Sequence, residues 1–276
     1  DYNWTEVMMK IAGKHMDALS VHYYTVPGGW PPRASSFEFD EQAWIQTLAS
    51  ALKVDELLRG HIAVMDRLDP EGKVDLYLDE WGTWYAPYPG TNPGFLQQQN
   101  TLRDALVSSI HFDVMSRHAR RVRMANIAQM VNVLQAMILT EDAKMALTPT
   151  YHAFEMYRPW QDATYLPLEL KAPPYRLGDT SVPSVHGSAV RARDGHVYVA
   201  LTNLDPNRAV EVSTSVTGVQ ASAVSGRVLT ADTITAHNTF AQPDRVRPVD
   251  FTGASVSGGT LKVELPAKSI VVLQLR

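Results

Sequence analysis

The sequence contains no cysteine among its 276 residues. This absence excludes a disulfide framework, a thiolate zinc site, a cysteine nucleophile and redox chemistry at sulfur. It fits both a cytoplasmic and an exported location, because exported proteins can also lack cysteine. Long hydrophobic runs are missing too, since no apolar segment approaches the roughly 18–20 residues that a membrane span needs.

A strong excess of charge of either sign is also absent. The sequence has 25 Lys and Arg against 29 Asp and Glu, a formal net charge of −4. This balance gives no electrostatic reason to expect a nucleic acid or a membrane as partner, and it favours a neutral substrate. The chain opens at Asp1 with no initiator methionine and no signal-peptide pattern, so we expect it to be cut from something longer.

The residues that are present are distributed unevenly. All six tryptophans and all ten methionines lie in the first 160 residues. The proline-rich stretch from Pro159 to Pro183 predicts an irregular connector. We therefore predict two domains that cover residues 1–165 and 166–276.

The first part alternates helical and strand patterns. Apolar residues at helical spacing predict helices over 3–14, 40–65, 95–118 and 151–157. Period-two patterns predict strands over 17–24, 74–80 and 122–129. This βα alternation is typical of parallel sheets and barrels.

The second part consists of short strand-like runs separated by Gly, Asp, Asn and Pro. The predicted strands are 188–192, 196–203, 209–215, 225–229, 260–265 and 269–275. Their spacing is typical of a β-sandwich.

Glu80 ends the second predicted strand of the first part. Strict alternation puts Glu80 on the same apolar face as Leu76 and Leu78, and Asp79 on the opposite face. In a parallel β/α barrel, a carboxylate at the carboxyl end of a strand points into the mouth where active sites form. Aromatic residues follow over 81–85, and such rings cover apolar sugar faces. A catalytic carboxylate and an ordinary strand-end acid both fit this position.

The preceding strand contributes a second polar end. Ser20, His22 and Tyr24 share one face, so we expect them to enter the same mouth as Glu80. His22 would orient the carboxylate or a sugar hydroxyl, or else be a satisfied core histidine. Tyr24 would hydrogen-bond Glu80.

A third contribution comes from amides in the apolar run after residue 122. Asn126, Gln129 and Asn132 are expected to be buried there, and buried amides need partners. Those partners are either sugar hydroxyls or backbone groups.

Six segments together resemble the α-L-arabinofuranosidases of glycoside hydrolase family 51. They are SVHYY (20–24), LDEWGTWY (78–85), QQNTLRDAL (98–106), MANIAQMVNV (124–133), LTPTYH (147–152) and RVRPVDFTG (245–253). The resemblance implies an α/β fold, the C-terminal part of a (β/α)8 TIM barrel with strands six to eight over 1–165. An all-β, jelly-roll-like sandwich over 166–276 would follow.

The resemblance also implies site residues. By motif, Glu80 matches the nucleophile of a retaining, exo-acting enzyme, and His22, Tyr24, Trp84 and Gln129 become substrate-binding residues. Trp81 is expected to shape the sugar subsite together with Trp84. No metal or organic cofactor is implied. The expected partners are an arabinose-containing oligo- or polysaccharide and further copies of the chain, since family members are commonly oligomeric.

The family's acid/base glutamate, carried by an Asn-Glu pair, has no counterpart here because the sequence contains no Asn-Glu dipeptide. A retaining glycosidase needs two carboxyl groups about 5–5.5 Å apart. Glu38, Asp40 and Glu41 are interpreted as capping residues at a loop-to-helix junction. We therefore expect the acid/base on an N-terminal fragment of the same enzyme.

Two alternatives stay open at this point. Another β/α-barrel glycosidase of the endo-glucanase type would use Glu80 in the same role within an open cleft. A carbohydrate-binding fragment without catalysis would use the aromatic residues alone.

Overall fold

The computed structural model describes residues 1–219 and 221–276. Its helices are α1 (Tyr2–Ala12), α2 (Glu41–Leu52), α3 (Val54–Leu68), α4 (Leu102–Arg117) and α5 (Pro149–Met156). In the described ranges, no helix is long and apolar enough to cross a membrane.

The single long helix predicted from Asp40 is instead two helices. The Asp40 carboxylate caps α2 by accepting from the Ala43 N–H at 2.9 Å, as the sequence indicates. The Lys53 N–H donates to the Ser50 carbonyl, three residues back. The α-helical hydrogen-bond pattern is therefore interrupted at Lys53, before α3 begins. The apolar stripe continues across this break, so periodicity alone did not reveal it.

Three parallel strands form the sheet of the first part. They are β1 (Ala18–Thr25), β2 (Asp75–Thr83) and β3 (Val122–Ile127), with β2 in the centre. Leu19 and Val21 of β1 and Leu76 and Leu78 of β2 are buried in the core that the helices share. This arrangement leaves the opposite face of the sheet for polar side chains.

The remaining strands are β4 (Ile138–Glu141), β5 (Lys144–Leu147), β6 (Thr164–Leu166), β7 (Pro174–Leu177), β8 (Thr180–Pro183), β9 (Val185–Arg191), β10 (Val197–Asn203), β11 (Val210–Ser215), β12 (Val224–Leu229), β13 (Val249–Phe251), β14 (Ala254–Ser257), β15 (Thr260–Leu265) and β16 (Ser269–Leu275). The connector predicted as irregular contains β6, β7 and β8. The predicted domain boundary at 165/166 falls inside β6, which pairs with β9.

A β-sandwich forms the second part, as predicted. One sheet has the order β13-β12-β16-β10-β9-β6, and the other has the order β11-β15-β14. Val199, Leu201 and Leu273 of the larger sheet share a buried cluster with Leu261 and Val263 of the smaller one. Removal of this apolar surface from water holds the two sheets together.

A buried polar cluster joins the sandwich to α4. The carboxylate of Asp113 is fully buried and accepts from Tyr157 Oη at 2.9 Å and from Ser188 Oγ at 2.6 Å. Its second oxygen lies 2.9 Å from Nδ1 of His186. Since Ser188 and His186 belong to β9, this carboxylate fixes one part of the chain against the other.

Candidate active site

A β-bulge in β2 determines where Glu80 points. In the pairing with β1, Val21 lies opposite Leu78 but His22 lies opposite Glu80, so β2 carries one extra residue at Asp79. The bulge turns Glu80 toward the face that already bears Asp79 and His22. The prediction that Glu80 shares the face of Leu76 and Leu78 was therefore wrong, because strict alternation does not hold across a bulge.

Tyr24 and His22 both contact one oxygen of the Glu80 carboxylate. Tyr24 Oη donates to Oε2 of Glu80 at 2.8 Å, which is the contact that the sequence predicted. His22 Nδ1 lies 3.4 Å from the same oxygen. His22 is not a core histidine, because about half of its side chain (49%) is exposed. Burial and the hydrogen bond to Glu80 raise the pKa of the Tyr24 phenol, so its hydroxyl stays a donor well past neutral pH.

An aromatic wall extends outward from this carboxylate. The Trp84 ring meets the Tyr24 ring edge-to-face at a centroid distance of 4.9 Å. Trp30 meets Trp84 in the same manner at 5.1 Å and is 70% exposed. Three rings in sequence therefore line the surface beside Glu80, with Trp30 at its outer end. Such a wall suits the apolar face of a sugar.

Trp81 does not belong to this surface. Its side chain is fully buried, and it packs against His111 and Phe112 of α4 and stacks at 5.8 Å on Phe154 of α5. The prediction that Trp81 shapes the sugar subsite was wrong for the same reason as above. The bulge sends Glu80 to one side of the strand and the next residue to the helical side.

Buried amides hold the strand end that follows Glu80. Gln135 Oε1 accepts from the Thr83 N–H at 2.8 Å, and Gln98 Nε2 donates to the Thr83 carbonyl at 3.1 Å. The Thr83 hydroxyl donates to the buried carboxyl of Asp104 at 2.7 Å, and burial raises the pKa of that carboxyl. Gly82 has φ +147°, and a Cβ there would lie 3.2 Å from Gln135. These contacts fix the backbone that carries Glu80.

The three amides after residue 122 were predicted to be buried, and this prediction was wrong. Asn126 and Gln129 are exposed and Asn132 is half-buried. Gln129 follows β3 at the sheet edge where Glu80 lies, and its side chain has no hydrogen-bond partner among the described residues. The Asn132 side chain donates to the Thr140 hydroxyl at 2.9 Å, which ties down the β4–β5 hairpin.

Two residues of the site were missed by sequence reasoning. Asp79 was placed correctly on the face opposite Leu76 and Leu78, but that face was not recognised as the face of the site, although an acidic pair at a strand end was itself a signal. Trp30 sits in a turn-rich Gly-Gly-Trp-Pro-Pro segment that attracted no functional prediction. A large aromatic residue between turn residues has little to pack on, so the sequence predicts that it is exposed. This expected exposure was the signal that could have identified Trp30.

The chemistry that this arrangement can perform is nucleophilic attack by a carboxylate. Glu80 is half exposed (48%), bound by one phenol and flanked by rings that exclude water from one side. Within residues 1–219 and 221–276, no group of three or more His, Asp or Glu side chains is placed to hold a metal ion.

Glu41, considered above as a capping residue, accepts from Tyr175 Oη at 2.8 Å and serves a structural role.

Comparisons with known proteins point to one family. A family model described as "Alpha-L-arabinofuranosidase C-terminal domain" matches residues 79–269. The intracellular exo-α-L-arabinofuranosidase of Bacteroides ovatus is 45% identical over the whole of this chain and 54% of its own length. The intracellular exo-α-(1→5)-L-arabinofuranosidase of Streptomyces lividans is 26% identical over 95% of this chain and 40% of its own.

Solved structures agree with these relatives. The crystal structure of the GH51 arabinofuranosidase from Xanthomonas axonopodis pv. citri superimposes with a TM-score of 0.99 and 66% identity. The match covers all of this chain and 56% of that one. An α-L-arabinofuranosidase from Thermotoga maritima, solved with arabinose, shares the fold at 23% identity and a TM-score of 0.80. The chain thus spans about half the length of the relatives it matches.

Proposed function

Because this chain belongs to the α-L-arabinofuranosidases of glycoside hydrolase family 51 and matches the model of their C-terminal domain, we propose that it supplies the nucleophile of a retaining, exo-acting arabinofuranosidase. Its substrates would be arabinan, arabinoxylan or arabino-oligosaccharides, from which it releases terminal arabinofuranosyl residues. The observation that carries this proposal is the Glu80 carboxylate, held by Tyr24 at 2.8 Å beside an aromatic wall.

In the proposed reaction, Glu80 attacks the anomeric carbon while the bond to the leaving oxygen breaks. An acid/base carboxyl group protonates that oxygen, and a glycosyl ester of Glu80 results. Water then attacks the same carbon, gives its proton to the acid/base carboxylate and releases the Glu80 carboxylate. Both contacts described for Glu80 fall on Oε2, which leaves Oε1 to form the ester.

We place the acid/base on an N-terminal part of the enzyme, which would also complete the barrel. In the part of the chain that the structure describes, no strand pairs with the outer edge of β1 or of β3. Met124 and Tyr77 are at least partly exposed on the open face of this parallel sheet. Parallel sheets occur almost only with both faces covered, so further strands and helices are needed here. Residues 1–165 would then supply barrel strands six to eight.

Native and denaturing mass measurements on the purified material test this assembly. We expect a second polypeptide of roughly barrel-half size, or one longer chain that contains both parts, and a native mass that reveals any homo-oligomer. A catalytically active preparation that contains this chain alone would contradict the proposed location of the acid/base.

Substrate comparison tests the reaction class. We expect the assembled enzyme to hydrolyse an aryl α-L-arabinofuranoside and to leave a linear glucan intact. Cleavage of the glucan in its place would favour an endo-glucanase type of enzyme. Binding of arabino-oligosaccharides without turnover would favour a carbohydrate-binding role.

Removal of the Tyr24 hydroxyl tests its contact with Glu80. In Tyr24→Phe we expect kcat/KM on the aryl arabinofuranoside to fall about 10- to 100-fold, since a hydrogen bond to a charged group contributes about 1.5–3 kcal/mol. Thermal unfolding should not change, because the aromatic ring and its packing on Trp84 remain. The matched control is Tyr88→Phe, whose exposed ring lies on Phe37 and not on Glu80. Equal activity of Tyr24→Phe and wild type would argue against the positioning role.

Replacement of Trp30 tests whether the outer end of the aromatic wall binds substrate. We propose that it contacts the part of the substrate beyond the cleaved bond. Trp30→Ala should lower kcat/KM on an arabino-oligosaccharide about 5- to 30-fold, because a ring contact of this kind contributes about 1–2 kcal/mol. For arabinofuranosyl fluoride, whose leaving group is a single atom, kcat/KM should change less than about twofold. Trp4→Ala, an exposed tryptophan on α1, is the control. An equal loss on both substrates would place Trp30 elsewhere in the mechanism.

A further inference from the structure

The bulge in β2 brings two consecutive carboxylates to the face of the site, and the proposed reaction uses only one of them. Glu80 attacks, whereas Asp79 has no part in the steps above. Asp79 nevertheless has defined neighbours. Its Oδ1 accepts from Ser20 Oγ at 2.6 Å and lies 3.1 Å from His22 Nε2. About a third of its side chain (34%) is exposed, so it is neither a core residue nor a freely solvated one.

His22 stands between the two carboxylates. One ring nitrogen, Nε2, lies 3.1 Å from Asp79, and the other, Nδ1, lies 3.4 Å from Oε2 of Glu80. A neutral imidazole carries one hydrogen and therefore donates from only one of its nitrogens. Neither contact is aligned as a hydrogen bond, but the Nε2–Asp79 separation is the shorter one, and a ring hydrogen is electrostatically favoured on the nitrogen closer to a carboxylate oxygen. The geometry therefore favours the hydrogen on Nε2, toward Asp79.

We propose that Asp79 is a positioning residue, which, anchored by Ser20, keeps the His22 hydrogen on Nε2 and so prevents the ring from donating to the attacking carboxylate of Glu80. The inference rests on the proposed function of Glu80. A hydrogen bond from Nδ1 would draw electron density from the carboxylate that must attack, and it would weaken that carboxylate as a nucleophile. Tyr24 remains the donor to Oε2, and it fixes the carboxylate without a second donor on the same oxygen.

The simpler interpretation is that Asp79 only strengthens the pairing of β1 with β2 through Ser20. The two interpretations differ in whether Asp79 acts through His22. If Asp79 acts through the ring, removal of the ring must abolish the effect of removing Asp79. A contribution to strand pairing would persist without the ring.

A double-mutant cycle in the assembled enzyme separates these cases. We expect Asp79→Ala to lower kcat on the aryl arabinofuranoside about 10- to 100-fold, the usual effect of removing a residue that orients a functional group, with KM within about twofold. In the His22→Ala background the same change should alter kcat less than about twofold. Asp79→Asn should retain part of the activity, because its amide oxygen can still attract the hydrogen on Nε2. Asp75→Ala, on the same strand but far from Glu80, should match wild type.

Nitrogen NMR of the His22 ring provides a readout that does not need activity. At a pH where the ring is neutral, we expect the hydrogen on Nε2 in wild type and on Nδ1 in Asp79→Ala, with His22→Ala used for assignment. Two results would overturn the proposal: an unchanged tautomer, or an equal loss of kcat in both backgrounds. Failure of the proposed function looks different, since Glu80→Gln would then retain full activity in the same assay while the tautomer still changed.

Discussion

Replacement of Glu80 by glutamine is expected to lower kcat on an aryl arabinofuranoside by at least about 10⁴-fold. The amide keeps the size of the side chain and can still accept from Tyr24, but it cannot form the glycosyl ester through which the proposed reaction passes. KM should change little, since the wall formed by Trp84 and Trp30 is untouched. The measurement is a comparison of initial rates with enough enzyme to detect residual turnover.

Two further variants sharpen this prediction. Glu38→Gln changes an exposed acid in the loop before α2, and its activity should stay within about twofold of wild type. A large loss of activity in this variant would make Glu38 a candidate for the acid/base. Glu80→Ala should regain activity when azide or formate is added, because a small anion can attack from the space left by the side chain. Residual activity in Glu80→Gln above about one per cent of wild type would be incompatible with a nucleophilic role.

Truncation of Asp113 is expected to have the largest effect on stability. The fully buried carboxylate accepts from Tyr157 and Ser188 and contacts His186. Asp113→Ala leaves these groups without their partner in a site that water does not reach, which costs about 3–5 kcal/mol of unfolding free energy. Urea unfolding of the assembled enzyme, followed by tryptophan fluorescence, measures the change.

The control for this experiment is Asp250→Ala, an exposed acid on β13, which should leave the unfolding midpoint unchanged. The destabilisation of Ser188→Ala should fall between the two, at about 1–2 kcal/mol, because the change removes one donor to Asp113 and the acceptor of the Trp160 Nε1–H, while Asp113 keeps its other partners. If the unfolding free energy of Asp113→Ala lies within about 1 kcal/mol of that of wild type, the polar cluster does not hold α4 to the sandwich as described.

Elements whose apolar pattern repeats regularly could be predicted from the sequence. The strands β1 and β2 were placed within one to three residues, and the pairing of Tyr24 with Glu80 followed from two adjacent parallel strands that end at the same edge. Asp40 was identified as a cap because its carboxylate precedes the first apolar turn. In these cases local pattern and global fold agree.

Predictions failed where the backbone departs from regular geometry. The bulge at Asp79 reverses the faces of every residue after it, so Glu80 and Trp81 each lie on the side opposite to the one predicted. Alternation carries no signal for a single inserted residue, since acidic and aromatic residues fit either face. The short hairpins β4–β5 and β7–β8 were missed because their runs of four residues are too short to show a period.

The site was only partly visible for the same reason. His22, Tyr24 and Glu80 were identified through strand ends, whereas Trp30 comes from a loop whose course depends on tertiary contacts with Trp84. The buried amides Gln98 and Gln135, which hold the strand end after Glu80, are far from it in sequence. Only the folded chain brings these groups together.

The most direct test of the central claim is to trap the ester on Glu80. An aryl arabinofuranoside with an excellent leaving group needs little acid catalysis for the first step, so the covalent intermediate should accumulate and survive a rapid acid quench. Peptide mass spectrometry should then find one added pentosyl residue on the peptide that contains Glu80, and none in Glu80→Gln. A pentosyl group on a different carboxylate, in an enzyme that turns over the same substrate, would contradict the assignment of Glu80 as the nucleophile.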